Sequence, residues 1–259
     1  MQDRIAEEFT KLVETVARLR APGGCPWDHE QTHESLKRFA IEETYEVVEA
    51  IDSGDMGRLK DELGDLLLQV LLHAQMASES HEFDMADVCR TIREKLLRRH
   101  PHVFGDAQVS GVEDVLHNWE QIKRCEPGYD ERESVLDGVP QTLPALMRAS
   151  ELSKKAARTG FDWPDIHSIF DKLDEEVREL RDAIDRASDP EIKDEIGDLL
   201  FTVVNIARWS RVDPEEALRD MLRKFVHRFS RIEERARETG RDIHEMTLEE
   251  MDSVWDEAK

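Results

Sequence analysis

Carboxylate residues recur along this chain in two groups with identical spacing. Each group has two acids three residues apart and, sixteen residues further on, a second such pair. The two groups are Glu43, Glu46, Glu62 and Asp65 in the first half and Glu176, Glu179, Glu195 and Asp198 in the second. Every position is shifted by 133 residues. This shift indicates a duplicated module, and the spacing of three puts both acids of a pair on one helix face.

Four carboxylates from two neighbouring helices form an oxygen ligand set that suits Mg²⁺, with Mn²⁺ as a substitute. Without a cation, the like charges would raise each other's pKa. A di-iron site would need a His three residues after a ligating Glu. Glu49 follows Glu46 and Asp198 follows Glu195, which disfavours iron. For either group alone, the competing interpretation is a solvated acidic face, because 59 of the 259 residues are Asp or Glu.

A glycine lies inside the second pair of each group, at Gly64 and Gly197. Glycine inside a helix costs about 1 kcal/mol relative to alanine. Its presence therefore indicates the close approach of a ligand, or tight packing against another helix.

Basic residues follow each acidic group on the next predicted helix. They are Lys95, Arg98, Arg99 and His100 in the first half and Arg223, Lys224, His227 and Arg228 in the second. Phosphate oxygens are natural partners for such residues, and salt bridges to the acidic surface are the alternative. Lys172 precedes Glu176 by four residues, whereas its counterpart in the first half is Phe39.

Two tryptophans, Trp119 and Trp255, occupy matching positions near the ends of the two halves. They could stack on a base or anchor a helix interface. The segment His100-Pro101-His102 resembles a ligand pair, but we interpret it as a helix stop with a structural histidine.

Composition restricts the class of protein. The chain is 39% hydrophobic and 37% charged, with a net charge of -23, which argues against a nucleic-acid polymer as partner.

Cys25, Cys89 and Cys125 show no CxxC spacing and predict free thiols in a reducing compartment. The first residues lack the apolar core of a secretory signal, and the most apolar stretch, 66–76, is too short to span a bilayer. We expect a cytoplasmic protein without a membrane partner.

Nearly every segment has helical periodicity, and no strand is predicted. The sequence predicts an all-α fold of two related helical bundles, residues 1–124 and 142–259, joined by a linker at 125–141. The predicted helices cover about 3–20, 33–52, 84–99, 113–123, 143–158, 166–187 and 214–238, with further helices on the second acidic pairs and at the C-terminus. Predicted helix-terminal residues are Gly54, Asp55, Asp84, Asp189-Pro190, Asp213-Pro214 and the Thr247–Glu250 capping box.

At these residues the sequence resembles the MazG family of nucleoside triphosphate pyrophosphohydrolases, and the resemblance covers essentially the whole chain. It is carried by residues 24–28, 42–46, 61–65, 98–104, 160–163, 204–208, 217–219, 224–229 and 248–251. The resemblance implies an all-α, Mg²⁺-dependent enzyme that hydrolyses NTPs and dNTPs to the monophosphate and pyrophosphate. It also implies tandem MazG domains and a homodimer.

The same resemblance assigns roles to individual residues. It implies that Glu176, Glu179, Glu195 and Asp198 bind the metal, with Glu43, Glu46, Glu62 and Asp65 as a second, less certain site. It implies that Lys172, Lys224, Arg228 and Trp255 contact the nucleotide. Met221 and Leu222 stand where the family usually has Thr-Asn, which bears on substrate preference.

We expect metal-assisted hydrolysis in the second copy, since Phe39 replaces the lysine in the first. Glu175 and Glu176 are candidate catalytic carboxylates, with Glu175 as the general base, and Lys224 and Arg228 would neutralise charge on the leaving pyrophosphate. Two alternatives stay open at this point: a non-catalytic nucleotide-sensing or interaction protein, and a narrow pyrimidine dNTP pyrophosphatase.

Overall fold

The computed structural model describes residues 2–124, 126 and 134–259, and all regular structure in these ranges is helical. The chain separates into two compact units, Met1–Tyr129 and Asp130–Lys259. The all-α prediction is confirmed. Much of the predicted linker, 125–141, lies outside the described residues, and so does Cys125; the predicted domain limits stay a prediction.

The first unit contains seven helices within the described residues. They are α1 (Gln2–Arg20), α2 (Pro26–Glu30), α3 (Lys37–Ser53), α4 (Met56–Glu79), α5 (Met85–Arg99), α6 (Pro101–Phe104) and α7 (Val112–Arg124). Its core lies between α1, α3 and α4, where Val16, Leu36, Leu71, Leu72 and Met76 are buried together.

The second unit contains five α-helices and a short 3-10 helix within the described residues. They are α8 (Ala145–Ala157), α9 (Ile166–Asp185), α10 (Asp189–Trp209), α11 (Pro214–Glu238), the 3-10 helix Ile243–Glu245 and α12 (Leu248–Glu257). Helix α10 packs against both α9 and α8, and α11 packs against α12. Ile169 and Val204 are fully buried where α9 and α10 meet.

Each acidic group lies on a helical hairpin, because a short connection forces consecutive helices to be antiparallel neighbours. Gly54 ends α3 in the left-handed conformation, with φ 69°, which glycine adopts without steric cost. The Asp55 carboxylate then accepts hydrogen bonds from the backbone N–H groups of Gly57 and Arg58. Both predicted terminal residues of the α3–α4 hairpin are confirmed.

Other predicted helix termini are confirmed with one exception. Asp84 and Thr247 form capping boxes with Asp87 and Glu250, and Asp213 caps α11. Asp189 was wrongly predicted as the cap of α10. Ser188 holds that position in extended conformation, so Asp189 is the first helical residue and adds negative charge to the first turn, where it is favourable.

Two predicted loops contain short helices. Residues 26–30 lie between the predicted helices 3–20 and 33–52 but form α2, with Pro26 at its first position, where proline is favoured. Pro101 ends α5 as expected but also begins α6. The helix expected from residue 33 begins at Lys37. None of the helices in the described ranges is both long and apolar enough to cross a membrane.

Candidate active site

Three carboxylates converge on the α9–α10 hairpin. Oxygen atoms of Glu176, Glu179 and Glu195 lie within 4.8 Å of one another. Glu176 is buried, with 3% of its surface exposed, because it lies on the side of α9 that faces α10. The fourth predicted member, Asp198, is outside this set but raises the pKa of Glu195 through its charge, so it lies nearby.

The α3–α4 hairpin of the first unit has a corresponding cluster. Oxygen atoms of Glu43, Glu62 and Asp65 lie within 4.8 Å of one another. Here the missing member is Glu46, which lies near enough to Glu43 to add, after burial and Asp65, to the rise in the pKa of Glu43. Each hairpin therefore brings three of its four predicted acids together, and the omitted acid differs between the two copies.

Repulsion between the carboxylates is not fully compensated in either cluster. Burial, followed by the charges of Glu179 and Glu176, raises the pKa of Glu195. Burial and the charge of Asp65 raise the pKa of Glu43 in the same way. A divalent cation would relieve this repulsion, and an all-oxygen donor set fits Mg²⁺ or Mn²⁺.

A lysine holds one side of the C-terminal cluster. The Lys172 Nζ lies 2.8 Å from Glu176 Oε1 and donates to Glu175 Oε1 at 2.6 Å. The other oxygen of Glu176, Oε2, is buried and has no hydrogen-bond partner among the described residues. A buried acceptor left unpaired is costly, so Glu176 Oε2 fits the ligand set of a bound cation. Lys172 also lowers the pKa of Glu175, which weakens Glu175 as a general base.

In the N-terminal cluster the basic side chain lies on the second helix of the hairpin. Arg58, on α4, lies 3.3 Å from Glu62 and 3.0 Å from Glu49. The residue equivalent to Arg58 in the second copy is Glu191. Phe39, which replaces Lys172, packs against the hydrophobic core of the first unit. The two clusters therefore differ in where their positive charge lies.

The glycines inside the acidic pairs are not explained by packing within the described chain. A Cβ atom built at Gly64 or Gly197 would meet no described atom within 4 Å. Of the two explanations for these glycines, tight packing against another helix within the described residues is therefore wrong.

A cavity of about 410 Å³ adjoins the C-terminal cluster. Lys172, Glu176 and Asp198 line one part of it, so this cavity brings three predicted site residues together. The rest of the lining comes from α8, α10 and the loop before α9: Ser153, Ala156, Phe161, Asp162, Trp163, Pro164, Phe201, Thr202, Asn205 and Arg208.

Sequence reasoning assigned no role to these further cavity residues. For five of them a signal was present, because Phe161, Asp162, Trp163, Asn205 and Arg208 lie in the segments 160–163 and 204–208 that carry the family resemblance. Their contribution depends on two segments some 40 residues apart meeting in space, which helical periodicity does not predict.

Comparison with known proteins identifies the family. Residues 31–104 and 165–232 match the MazG nucleotide pyrophosphohydrolase domain, and each segment contains one complete acidic group. The chain belongs to the MazG family. This confirms the predicted family and the predicted class of enzyme.

Relatives that match nearly the whole of this chain are named as nucleoside triphosphate pyrophosphohydrolases. It is 45% identical over 251 residues to the nucleoside triphosphate pyrophosphohydrolase/pyrophosphatase MazG of Thermotoga maritima, covering 97% of this chain and 95% of the relative. It is 42% identical over 257 residues to the nucleoside triphosphate pyrophosphohydrolase of Escherichia coli K12, covering 97% of both chains. It is also 50% identical to the uncharacterized protein YabN of Bacillus subtilis, covering 97% of this chain and 52% of that longer protein.

The remaining residues implied by the MazG resemblance lie on α11 and α12. The Arg228 guanidinium lies 5.4 Å from the Trp255 ring centroid, and Phe225 contacts the same ring edge-on at 5.3 Å. Lys224 is exposed. Lys224, Arg228 and Trp255 are not among the described residues that line the cavity, so the structure does not bring them together with Lys172 there.

In the first unit of this MazG chain, two of the predicted phosphate-binding cations form salt bridges. Arg98 and Arg99 both pair with Glu126, at 3.2 and 2.5 Å, and lower the pKa of Glu126 to about 2. Trp119 lies under Lys123, with 4.4 Å between the Lys123 Nζ and the ring centroid. His100 bonds the Leu96 carbonyl through Nδ1 at 2.7 Å, consistent with a structural histidine at a helix end.

Proposed function

We propose that this chain hydrolyses nucleoside triphosphates, both NTPs and dNTPs, to the monophosphate and pyrophosphate in a Mg²⁺-dependent reaction at its C-terminal cluster. The proposal rests on one observation: the acidic cluster adjoins the cavity. Glu176 belongs both to the group of carboxylates within 4.8 Å and to the lining of the adjoining cavity. A nucleotide in that cavity would have its phosphates beside the acids.

Glu176, Glu179, Glu195 and Asp198 would hold Mg²⁺, and Mn²⁺ would substitute. When bound, the ion supplies positive charge to phosphate oxygens and lowers the pKa of a bound water. Lys172 pairs with Glu176 Oε1, and Glu176 Oε2, which has no hydrogen-bond partner among the described residues, would be available to the ion. Glu175 stays the candidate base, although its lowered pKa limits the basicity that it offers at neutral pH.

Lys224, Arg228 and Trp255 remain proposed nucleotide contacts. The two cations would neutralise charge that develops on the leaving pyrophosphate, and the Trp255 ring would contact the nucleotide. Met221 and Leu222 are half exposed on the same helix and offer no polar contact, which favours broad over narrow substrate preference.

Differences between the two units favour the C-terminal copy as the active one. Lys172, Phe201 and Asn205 line the cavity. Their counterparts at the shift of 133 are Phe39, Leu68 and Leu72, which belong to the hydrophobic core of the first unit. The first copy retains the acids Glu43, Glu62 and Asp65, but apolar packing takes the place of the cavity residues.

A homodimer in the cytoplasm is part of the proposal. Large apolar side chains are exposed along α10 and α11: Leu200, Val203, Leu218, Leu222, Phe225 and Val226. Large apolar side chains exposed on successive turns of a helix are typical of a subunit interface. The free thiols of Cys25 and Cys89 fit a reducing compartment, and the net charge of -23 disfavours a nucleic-acid partner.

Product analysis tests the proposed reaction. The protein is incubated with ATP and Mg²⁺, and the products are separated by ion-exchange chromatography. AMP and pyrophosphate in equal amounts support the proposal. ADP and phosphate would indicate a different hydrolase, and unchanged ATP at high protein concentration would indicate a nucleotide-sensing or interaction protein. A panel of NTPs and dNTPs then separates a broad enzyme from a pyrimidine dNTP pyrophosphatase.

A further inference from the structure

The loop before α9 forms one wall of the cavity. It contains Phe161, Asp162, Trp163 and Pro164, all of which line the cavity. Gly160 precedes them with φ +91°, a conformation that other residues rarely adopt. A loop of this kind needs side-chain contacts to fix its position relative to the helices behind it.

Asp162 provides those contacts. Its carboxylate accepts two hydrogen bonds from the Arg208 guanidinium, one of them from Nη1 at 3.1 Å. It also accepts from Trp209 Nε1 at 3.2 Å and from the backbone N–H of Trp163 at 2.8 Å. These bonds lower the pKa of Asp162, with Arg208 as the largest cause. The loop is thereby attached to the last turn of α10.

Arg208 also connects this loop to the back of the cavity. Its Nη2 lies 3.5 Å from Asn205 Oδ1, and Asn205 Oδ1 accepts a 2.6 Å hydrogen bond from the buried Ser153 hydroxyl on α8. The Asn205 amide donates to the Phe201 carbonyl at 3.0 Å. Because Arg208 is only 13% exposed, it is positioned to join three walls of the cavity: the loop, α10 and α8.

The two ends of the cavity differ in chemistry. Along α10 the lining follows the order Asp198, Phe201, Asn205 and Arg208, so Asp198 and Arg208 lie about two to three helical turns apart on this wall. Lys172 and Glu176 are near the Asp198 end, and Trp163 lies on the loop that Arg208 contacts. Aromatic side chains suit a flat heterocycle, and charged side chains suit phosphates and their cation. Arg208 contacts the loop that carries Trp163, not the acidic cluster.

We propose that Arg208 is a positioning residue that sets the width of the nucleoside part of the cavity. It does so through its two hydrogen bonds to Asp162 and its contact with Asn205. This inference rests on the proposed function. Arg208 is not among the residues proposed to contact the phosphates or the metal. Its effect is therefore on binding of the base and ribose, and not on the phosphate end.

Replacement of Arg208 by lysine tests this role. Lysine keeps the charge but cannot make bidentate hydrogen bonds to Asp162 and also contact Asn205. The matched control is Arg235→Lys, which removes the same guanidinium from an exposed pair with Glu257 on α11 and α12. Asp162→Asn serves as a second variant, because it weakens the same contact from the loop side.

Binding is measured by calorimetry with two probes, AMP and inorganic pyrophosphate, so that the readout does not depend on turnover. We expect Arg208→Lys and Asp162→Asn to weaken AMP binding about tenfold and to leave pyrophosphate binding unchanged. Hydrogen exchange of residues 159–165 should become faster in both variants, while exchange in α9 and α10 stays as in the wild type.

The inference is overturned if Arg208→Lys binds AMP as tightly as the wild type or the Arg235→Lys control does. It is also overturned if AMP and pyrophosphate binding fall together, or if the wild type does not bind AMP. Failure of the proposed function looks different: the wild type would bind the probes but release no pyrophosphate from ATP.

Discussion

Glu176 is the residue on which the candidate site depends most, because its carboxylate is buried and only one of its oxygens is paired. Lys172 supplies that pairing at 2.8 Å. Without Lys172 and without a cation, a buried charge would have no partner, which is strongly unfavourable.

Lys172→Gln should therefore destabilise the second unit by about 1–3 kcal/mol in the absence of metal. Chemical denaturation measures the loss. The matched control is Lys154→Gln. It removes a lysine from an ion pair with Glu151 in which both side chains are 43% exposed, so the loss of stability should be small. Added Mg²⁺ should restore part of the stability of Lys172→Gln. Equal stability of the two variants would contradict this account.

At the scale of the helices, the two hairpins differ in which helix carries the basic side chain. In α9–α10 the basic residue Lys172 lies on the first helix, and in α3–α4 the basic residue Arg58 lies on the second. Arg58 therefore neutralises Glu62, whose counterpart Glu195 has its pKa raised by burial and then by neighbouring acids. A divalent ion at the N-terminal cluster would have to compete with a guanidinium already in place.

Arg58→Gln should strengthen Mn²⁺ binding at the N-terminal cluster by about tenfold, since removal of one nearby unit charge changes the repulsion of a divalent ion by that order. The titration is followed by electron paramagnetic resonance of free Mn²⁺, in a Glu195→Ala background that weakens the C-terminal site. Lys60→Gln is the control, because Lys60 is 79% exposed and pairs with Asp61. The same gain in both variants would mean that only net charge matters.

Packing of α1 against α4 includes an ion pair between a buried arginine and an exposed glutamate, and its contribution to stability depends on pH. Arg20, 6% exposed, pairs with Glu79 at 2.9 Å and holds the pKa of Glu79 below its usual range. This pair therefore contributes stability above the pKa of an unfolded glutamate, and the contribution is lost as pH falls through the lowered pKa.

Glu79→Gln should be less stable than the wild type at neutral pH, and the difference in free energy of unfolding should shrink on acidification. Denaturant titrations between neutral and acidic pH measure it. Glu8→Gln, which removes an exposed partner of Lys11, is the control and should differ little from the wild type at any pH. A difference for Glu79→Gln that grows as pH falls would contradict the assigned direction.

For the whole molecule, the exposed apolar faces of α10 and α11 predict self-association. Sedimentation velocity should give twice the mass of one chain. Val226→Asp, at a side chain 63% exposed, should shift the protein toward monomer, because a charge would be buried without a partner in the interface. Val112→Asp is the control, since Val112 is 75% exposed on α7, away from those two helices in sequence. A monomeric wild type would contradict the dimer.

The sequence predicted the parts of this molecule that depend on local order. Helical periodicity predicted the all-α fold, and Gly54, Asp55 and Asp213 marked helix termini correctly. The repeat predicted which helices carry the acids. It did not predict that Arg58 would pair with Glu62, or that Arg208 would attach Asp162 to Asn205. Those contacts depend on how helices pack and where a loop folds back, and neither is set by residues adjacent in the chain.

The central claim is that the C-terminal cluster performs the hydrolysis. It is tested most directly by comparing two equivalent substitutions, Glu195→Ala and Glu62→Ala, which remove the same acid from the two copies. Pyrophosphate release from ATP with Mg²⁺ is measured for both variants. We predict that Glu195→Ala lowers the rate about a hundredfold or more, while Glu62→Ala retains most of it. Equal loss in the two variants would contradict the claim.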